Sequence, residues 1–272
     1  MKKAYTKNEV VRYYLIFFVL ACTITWTTAF IQGAVELTGT ADWIINRVIK
    51  FGPSLSGLIM IGWLFGTDGF KSLLSSFGRF KVSWYWYLYA LAPLIILGIS
   101  IYIFSGSMVP DPNQKWWYAL LFHANTGLIT YFFTRGGLGE EIGWRGFAIP
   151  LLKPHFSLFK ISLLIGITWG LWHLPALWSN GLLSFLGYTL LVVALSFLFT
   201  YLFEKTRHSL VFVMLFHATF NASDNFWELV LIGEEDWGNW QLPFYVLLLI
   251  AAIIVAIRFY KIQRHGPAAQ NP

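Results

Sequence analysis

"LLSFLGYTLLVVALSFLFTYL", Leu182 to Leu202, contains no charged side chain. On a helix, at about 1.5 Å per residue, such a run spans the roughly 30 Å hydrocarbon core of a bilayer. A surface helix of a soluble domain would instead carry a charged face opposite its apolar one. Comparable runs recur in both directions along the chain. They predict spans at 13–32, 44–65, 84–104, 116–133, 161–178, 182–202, 209–229 and 241–258. Hydrophobic residues make up 57% of the 272 and charged residues only 12%, where a soluble domain carries about 25% charged. Mean hydropathy is +0.61. The fold class expected is all-α: a polytopic transmembrane helical bundle of about eight spans. Gly52-Pro53 is expected to kink the second.

Charge placement tests the span count. With a cytoplasmic N-terminus, eight spans return the C-terminus to the cytoplasm. All 19 Lys and Arg except Arg47, Lys50 and Lys115 then lie on the cytoplasmic side, and Glu234-Glu235-Asp236 lies outside. This is the positive-inside pattern, and an odd number of spans would spoil it. Trp84, Trp86, Trp116, Trp117, Trp237 and Trp240 fall at or just beyond span ends, as an aromatic belt requires. The net charge of +6 therefore reflects topology, and no basic stripe interleaved with exposed aromatics suggests a nucleic-acid partner. The first span is too long for a secretory h-region and is expected to be a retained anchor. Cys22, the single cysteine, excludes an intramolecular disulfide. The expected division is 1–115 for the N-terminal spans, 116–232 for a functional core, and 233–272 for the last span and tail. The expected location is a bacterial cytoplasmic membrane, multi-pass, with membrane lipid as one partner.

Against this background, ionisable residues near the bilayer stand out, since each costs roughly 2.5–3.5 kcal/mol at a helix centre on insertion scales. "GEEIGWR", Gly139 to Arg145, lies in the longest proposed loop, 134–160. Gly136 and Gly137 break the preceding span, and 138–152 is expected to dip into the bundle or to continue the span across a glycine kink. Glu141 and Arg145 are spaced i,i+4 with the acid first, the favourable order for an ion pair. Glu140 points about 100° away, toward Trp144. One carboxylate thus has a partner and the other does not, and an unpartnered carboxylate in apolar surroundings suits a general base. The plainer alternative is an interfacial helix with solvated charges.

In "SLLIGITWGLWHLP", Ser162, Gly166 and Gly170 form a small-residue face for close helix approach. His173 shares that face, one turn above Trp169; structurally satisfied histidines are the commoner case. In "FHATFNASDNFWE", His217, Asn221, Asp224 and Glu228 form one polar stripe along a helix. The alternatives there are a reactive cavity and simple interhelical glue. HExxH, GxSxG, GxSG, GxGD, P-loop and GxGxxG patterns are all absent. Carboxylates, two histidines and an asparagine remain, a set suited to water activation and oxyanion stabilisation.

Glu140-Glu141-Ile142-Gly143-Trp144-Arg145, Trp169-Gly170-Leu171-Trp172-His173 and His217-Ala218-Thr219-Phe220-Asn221 together resemble the EExxxR, FxxxH and HxxxN motifs of one family. It is the CAAX protease and bacteriocin-processing (CPBP) family of intramembrane endopeptidases. The resemblance covers roughly residues 130–225 and looks like bacterial members. The one departure is Trp169 in place of Phe. The resemblance implies Glu140 as general base, aided by His173, with His217 and Asn221 as oxyanion donors. Glu141, Arg145 and Trp169 would be structural support. The substrate implied is a membrane-associated peptide or protein, with or without a lipid anchor.

The family has been described both as metal-dependent and as metal-independent, so the cofactor expectation is none or zinc. Glu140, His173 and His217 are the candidate ligands for a zinc ion. The asparagine one turn from His217 favours the metal-free reading. Two rival readings are a catalytically silent immunity or scaffold protein that uses the pocket for binding, and a transporter built on the 217–228 stripe.

Overall fold

The computed structural model describes residues 5–105, 128–177, 180–230 and 238–265. These residues are helical throughout their regular structure, with no strand among them. In chain order the elements are α1 (Lys7–Ala34), α2 (Gly39–Phe77), α3 (Tyr85–Ala90) and α4 (Ala92–Ser105). After helical residues 128–134 come α5 (Gly136–Glu141), a π-helical turn (Ile142–Ala148) and α6 (Ile149–Leu152). Then follow α7 (Leu158–Trp172), α8 (Leu174–Leu177), α9 (Leu182–Lys205), α10 (Leu210–Val230) and α11 (Gly238–His265).

Lys7–Ala34, Gly39–Phe77, Leu182–Lys205 and Leu242–Arg264 are long and apolar enough to cross a membrane, and Leu158–Trp172 and Leu210–Ser223 are shorter apolar helices. The protein is an all-α, polytopic integral membrane protein. Most of the proposed 116–133 span, with Trp116 and Trp117, lies outside the described residues, as do Trp237 and the acidic run 234–236.

The α1 helix starts at a full capping box: Thr6 Oγ1 accepts from the Glu9 amide while Glu9 reaches back to the Thr6 amide. The α2 helix is too long for a single span. Its 39 residues would measure about 58 Å at about 1.5 Å each. The break falls at Gly66, whose φ of 55° is the left-handed value that favours glycine. Pro53 stays inside the helix. Beyond Gly66 the chain turns back, so that Gly69 lies against Ile61 and Gly62 against the Phe70 ring.

The predicted 161–178 span ends early, because His173 caps α7 and a separate turn, α8, follows. The small-residue face of α7 packs as its sequence implies. A Cβ on Gly166 would stand 2.7 Å from Val193 Cα, and one on Gly170 would stand 2.6 Å from Thr189 Cγ2, both on α9.

The α5–π–α6 segment sits between α2 on one side and α10 on the other. Its approach to α2 is backbone to backbone. A Cβ on Gly57 would stand 2.8 Å from Gly143 Cα, and a Cβ on Gly143 would stand 2.2 Å from the Pro53 carbonyl oxygen. Ser54 Oγ donates to the Leu138 carbonyl at 2.7 Å across the same seam. "GEEIGWR" is therefore lodged inside the bundle. The segment is packed inside the bundle, as both a dip and a span continued across the glycine kink require, and the solvated interfacial helix is ruled out by burial: Glu140 is 6% exposed, Glu141 and Arg145 0%.

Candidate active site

Three helical pieces bring Glu140, Glu141, Arg145, Trp169, His173 and His217 together, with Asn221 one turn from His217. Glu140 and Glu141 end α5, His173 caps α7, and His217 and Asn221 lie one turn apart on α10. Trp169, on α7, stands among them. Its indole Nε1 donates to Glu140 Oε2 at 2.6 Å. Its ring centroid lies 5.4 Å from that of His217 and 6.3 Å from that of His173.

The Glu141–Arg145 pair forms as the spacing predicts, with Arg145 Nη1 3.0 Å from the carboxylate. Both side chains are fully buried. A buried pair is costly to desolvate unless other contacts satisfy it. Arg145 finds two of them in aromatic faces, Trp169 at 4.7 Å and Phe199 at 4.5 Å. Glu141 finds His217, whose Nδ1 lies 2.7 Å from Oε1. That contact was invisible in the sequence, and it makes Glu141 the bridge between the arginine and a candidate reacting histidine.

The two histidines are oriented in the same way. His173 Nδ1 is 2.9 Å from the Trp169 carbonyl. A carbonyl oxygen only accepts, so Nδ1 carries the proton and Nε2 of the neutral ring is an acceptor. His217 gives its Nδ1 to Glu141, which leaves its Nε2 for any other partner. The His217 ring edge rests on Gly136: a Cβ there would stand 2.2 Å from Nε2. That glycine, read from the sequence only as a helix breaker, makes room for the imidazole. His173 is half-buried, with Trp172 and Tyr188 rings at 4.5 and 5.0 Å.

Asn221 is half-buried, and its side chain makes no hydrogen bond among the described residues. The Asp224 and Glu228 side chains lie outside what the structure describes. Glu140 Oε1 likewise takes no hydrogen bond there, so one carboxylate oxygen is anchored and the other is not.

The fit of a metal is a question of geometry. Among the described residues, no three His, Cys, Asp or Glu side chains come close enough to share an ion. Glu140, His173 and His217 as placed do not make a zinc set.

The π-helical turn at Ile142–Ala148 follows directly after the two glutamates, a distortion often found at functional sites. Trp169 is the residue whose role sequence reading understated. As bulk it replaces the motif's Phe, but a Phe has no N–H to offer Glu140.

Residues 121–223, a stretch that includes every residue of this cluster, match the family model "Type II CAAX prenyl endopeptidase Rce1-like". The chain is 32% identical over 126 residues to CAAX prenyl protease 2 of Methanococcus maripaludis. The match covers 43% of this chain and 44% of that relative, so the chain spans less than half of the relative's length.

Proposed function

We propose that this chain, whose residues 121–223 carry the core of the CPBP family of CAAX-type endopeptidases, is an intramembrane endopeptidase that hydrolyses a peptide bond of a membrane-associated substrate. The observation that carries the reading is the buried cluster around Trp169. It presents one anchored carboxylate, Glu140, beside two histidines whose Nδ1 atoms are already committed.

In the proposed reaction Glu140 Oε1 takes a proton from a water, and His173 Nε2 holds the same water as acceptor. The water oxygen attacks the scissile carbonyl carbon, and the C=O electrons move onto oxygen. Asn221 is a neutral donor for that oxyanion. His217 donates to it through Nε2, which requires a proton on both ring nitrogens, one of them facing Glu141. Collapse of the intermediate expels the amine, and Glu140 returns the proton to it. No step needs a metal, in keeping with the placement of the candidate ligands. Glu141 and Arg145 hold the histidine and the helix in register. The relative's name suggests a prenylated CaaX tail as the substrate class, and an unlipidated peptide is the alternative. The lipid around the bundle is the other partner.

The test compares all protein N- and C-termini in membranes of cells carrying the wild type with those carrying Glu140→Gln at equal abundance. Termini produced only by the wild type are expected and would identify the substrate. Identical termini in both, under peptide challenge as well, would sink the protease reading in favour of a silent binding pocket.

A further inference from the structure

A cleft lies away from the glutamates and histidines, between α3, the ends of α9 and α11, and the 78–84 connection. It measures about 1270 Å³ and is lined by Lys81, Lys205, Arg207 and Arg258 together with Trp86, Tyr89 and Tyr201. A smaller adjoining cleft adds Arg79. Five cations thus line two neighbouring clefts, and no carboxylate is among the lining residues. Glu204, next to Lys205 in sequence, is turned to Lys153 at 2.6 Å and His208 at 3.3 Å.

The cavity is built rather than incidental. Arg79 donates to the carbonyls of Arg207 and His208 at 2.8 and 3.3 Å. Arg207 reaches the Lys81 carbonyl in return. Arg207 and His208 hold φ of 60° and 62°, strained for non-glycine residues in succession. Tyr201 lies under two cations, with Lys205 Nζ 5.8 Å and Arg258 5.5 Å from its ring, and its hydroxyl accepts from Arg258 at 3.0 Å. Tyr89 lines the cleft with its ring, its hydroxyl being buried.

We propose that this cavity binds the headgroup phosphate of an anionic phospholipid in the cytoplasmic leaflet. Basic pockets between membrane helices on the cytoplasmic side take such headgroups, and positive-inside topology puts Lys81, Lys205, Arg207 and Arg258 on that side. Tyr85 and Leu88 at the rim are 50% and 47% exposed, an apolar lip along which acyl chains can lie. The cations take the phosphate oxygens, and Trp86 and Tyr201 face the glycerol region, where amphipathic rings sit.

The test uses the full-length protein in nanodiscs of phosphatidylcholine with and without phosphatidylglycerol. Lipid retained after delipidation is read by native mass spectrometry. The wild type is expected to retain phosphatidylglycerol over phosphatidylcholine. Lys205→Gln/Arg258→Gln is expected to hold it roughly 30-fold more weakly, each cation near the surface contributing about 5-fold. Lys205→Arg/Arg258→Lys keeps the charges, controls for folding, and is expected to retain the lipid. Equal retention of both lipids by the wild type, or unchanged retention in the neutral variant, would overturn the proposal. So would protection by soluble inorganic phosphate that matches the lipid, since the cleft would then be a site for a free anion.

Discussion

Trp169 Nε1 and Glu140 Oε2 are 2.6 Å apart, and the indole is the only donor the carboxylate has among the described residues. The hydrogen bond fixes one oxygen of a buried side chain that stands close to His217 and the Glu141–Arg145 pair. It thereby decides which oxygen a water can meet. Phe at this position would fill similar space and leave the carboxylate free to rotate. Trp169→Phe is therefore expected to leave the fold intact and KM nearly unchanged. Its kcat should fall roughly ten- to hundredfold, the worth of a hydrogen bond to a charged group at about 1.5–3 kcal/mol. Steady-state kinetics on the peptide identified from the membrane termini would decide. A kcat equal to wild type would remove Trp169 from the site's function.

The two adjacent glutamates should separate cleanly in stability. Glu140 is tied by one neutral donor, and Glu140→Gln keeps the shape and accepts that bond through its amide oxygen. Glu141 holds a fully buried arginine and a histidine at once. Glu141→Gln leaves Arg145 buried without a counter-charge, a loss of about 3–5 kcal/mol when one partner of a buried pair is removed. Thermal unfolding in detergent should show a midpoint close to wild type for Glu140→Gln and a markedly lower one for Glu141→Gln. If both melted alike, the division of labour between the carboxylates would be wrong.

The chain's own pattern made this division partly legible. An i,i+4 relation within one segment predicted the Glu141–Arg145 pair, because a helix fixes which side chains meet along its own length. The apolar runs likewise predicted α1, the first part of α2, α9 and α11. The contacts that turn residues into a site cross between elements, and no local spacing encodes them. His217 is 76 residues from Glu141 and Trp169 is 29 from Glu140. The second proposed span, 44–65, stops where α2 breaks at Gly66, but the sequence reading put the kink elsewhere. Gly52-Pro53 is the louder local signal, and Pro53 stays inside the helix, whereas the backbone within it leaves helical values at Gly66.

Glycines near the site are expected to differ in kind. A methyl on Gly143 would meet the Pro53 carbonyl at 2.2 Å, backbone against backbone, with nothing flexible to yield. Gly143→Ala should therefore destabilise the bundle, by about 1–3 kcal/mol as overpacking does. A methyl on Gly136 would meet the His217 ring, also at 2.2 Å, and a side chain can swing aside. Gly136→Ala should fold, but with His217 displaced from its Glu141 bond. Activity should then drop roughly a hundredfold, the scale of a 1 Å misplacement. Equal melting points for the two variants would contradict the packing described.

Chelation separates the remaining mechanisms. A metal bound by Glu140, His173 and His217 would need all three to converge, and as placed they do not. Each histidine gives Nδ1 to an oxygen of its own helix or of α5, an arrangement that metal-bound histidines share, so the metal-free reading rests on the three side chains not converging. The proposed mechanism needs only a water held between a carboxylate and an imidazole. Cleavage by the detergent-solubilised enzyme is therefore expected to survive prolonged treatment with a strong chelator. Loss of cleavage that zinc then restored would show that the three side chains close around an ion, and Glu140 would become a ligand or the base of a metal-bound water.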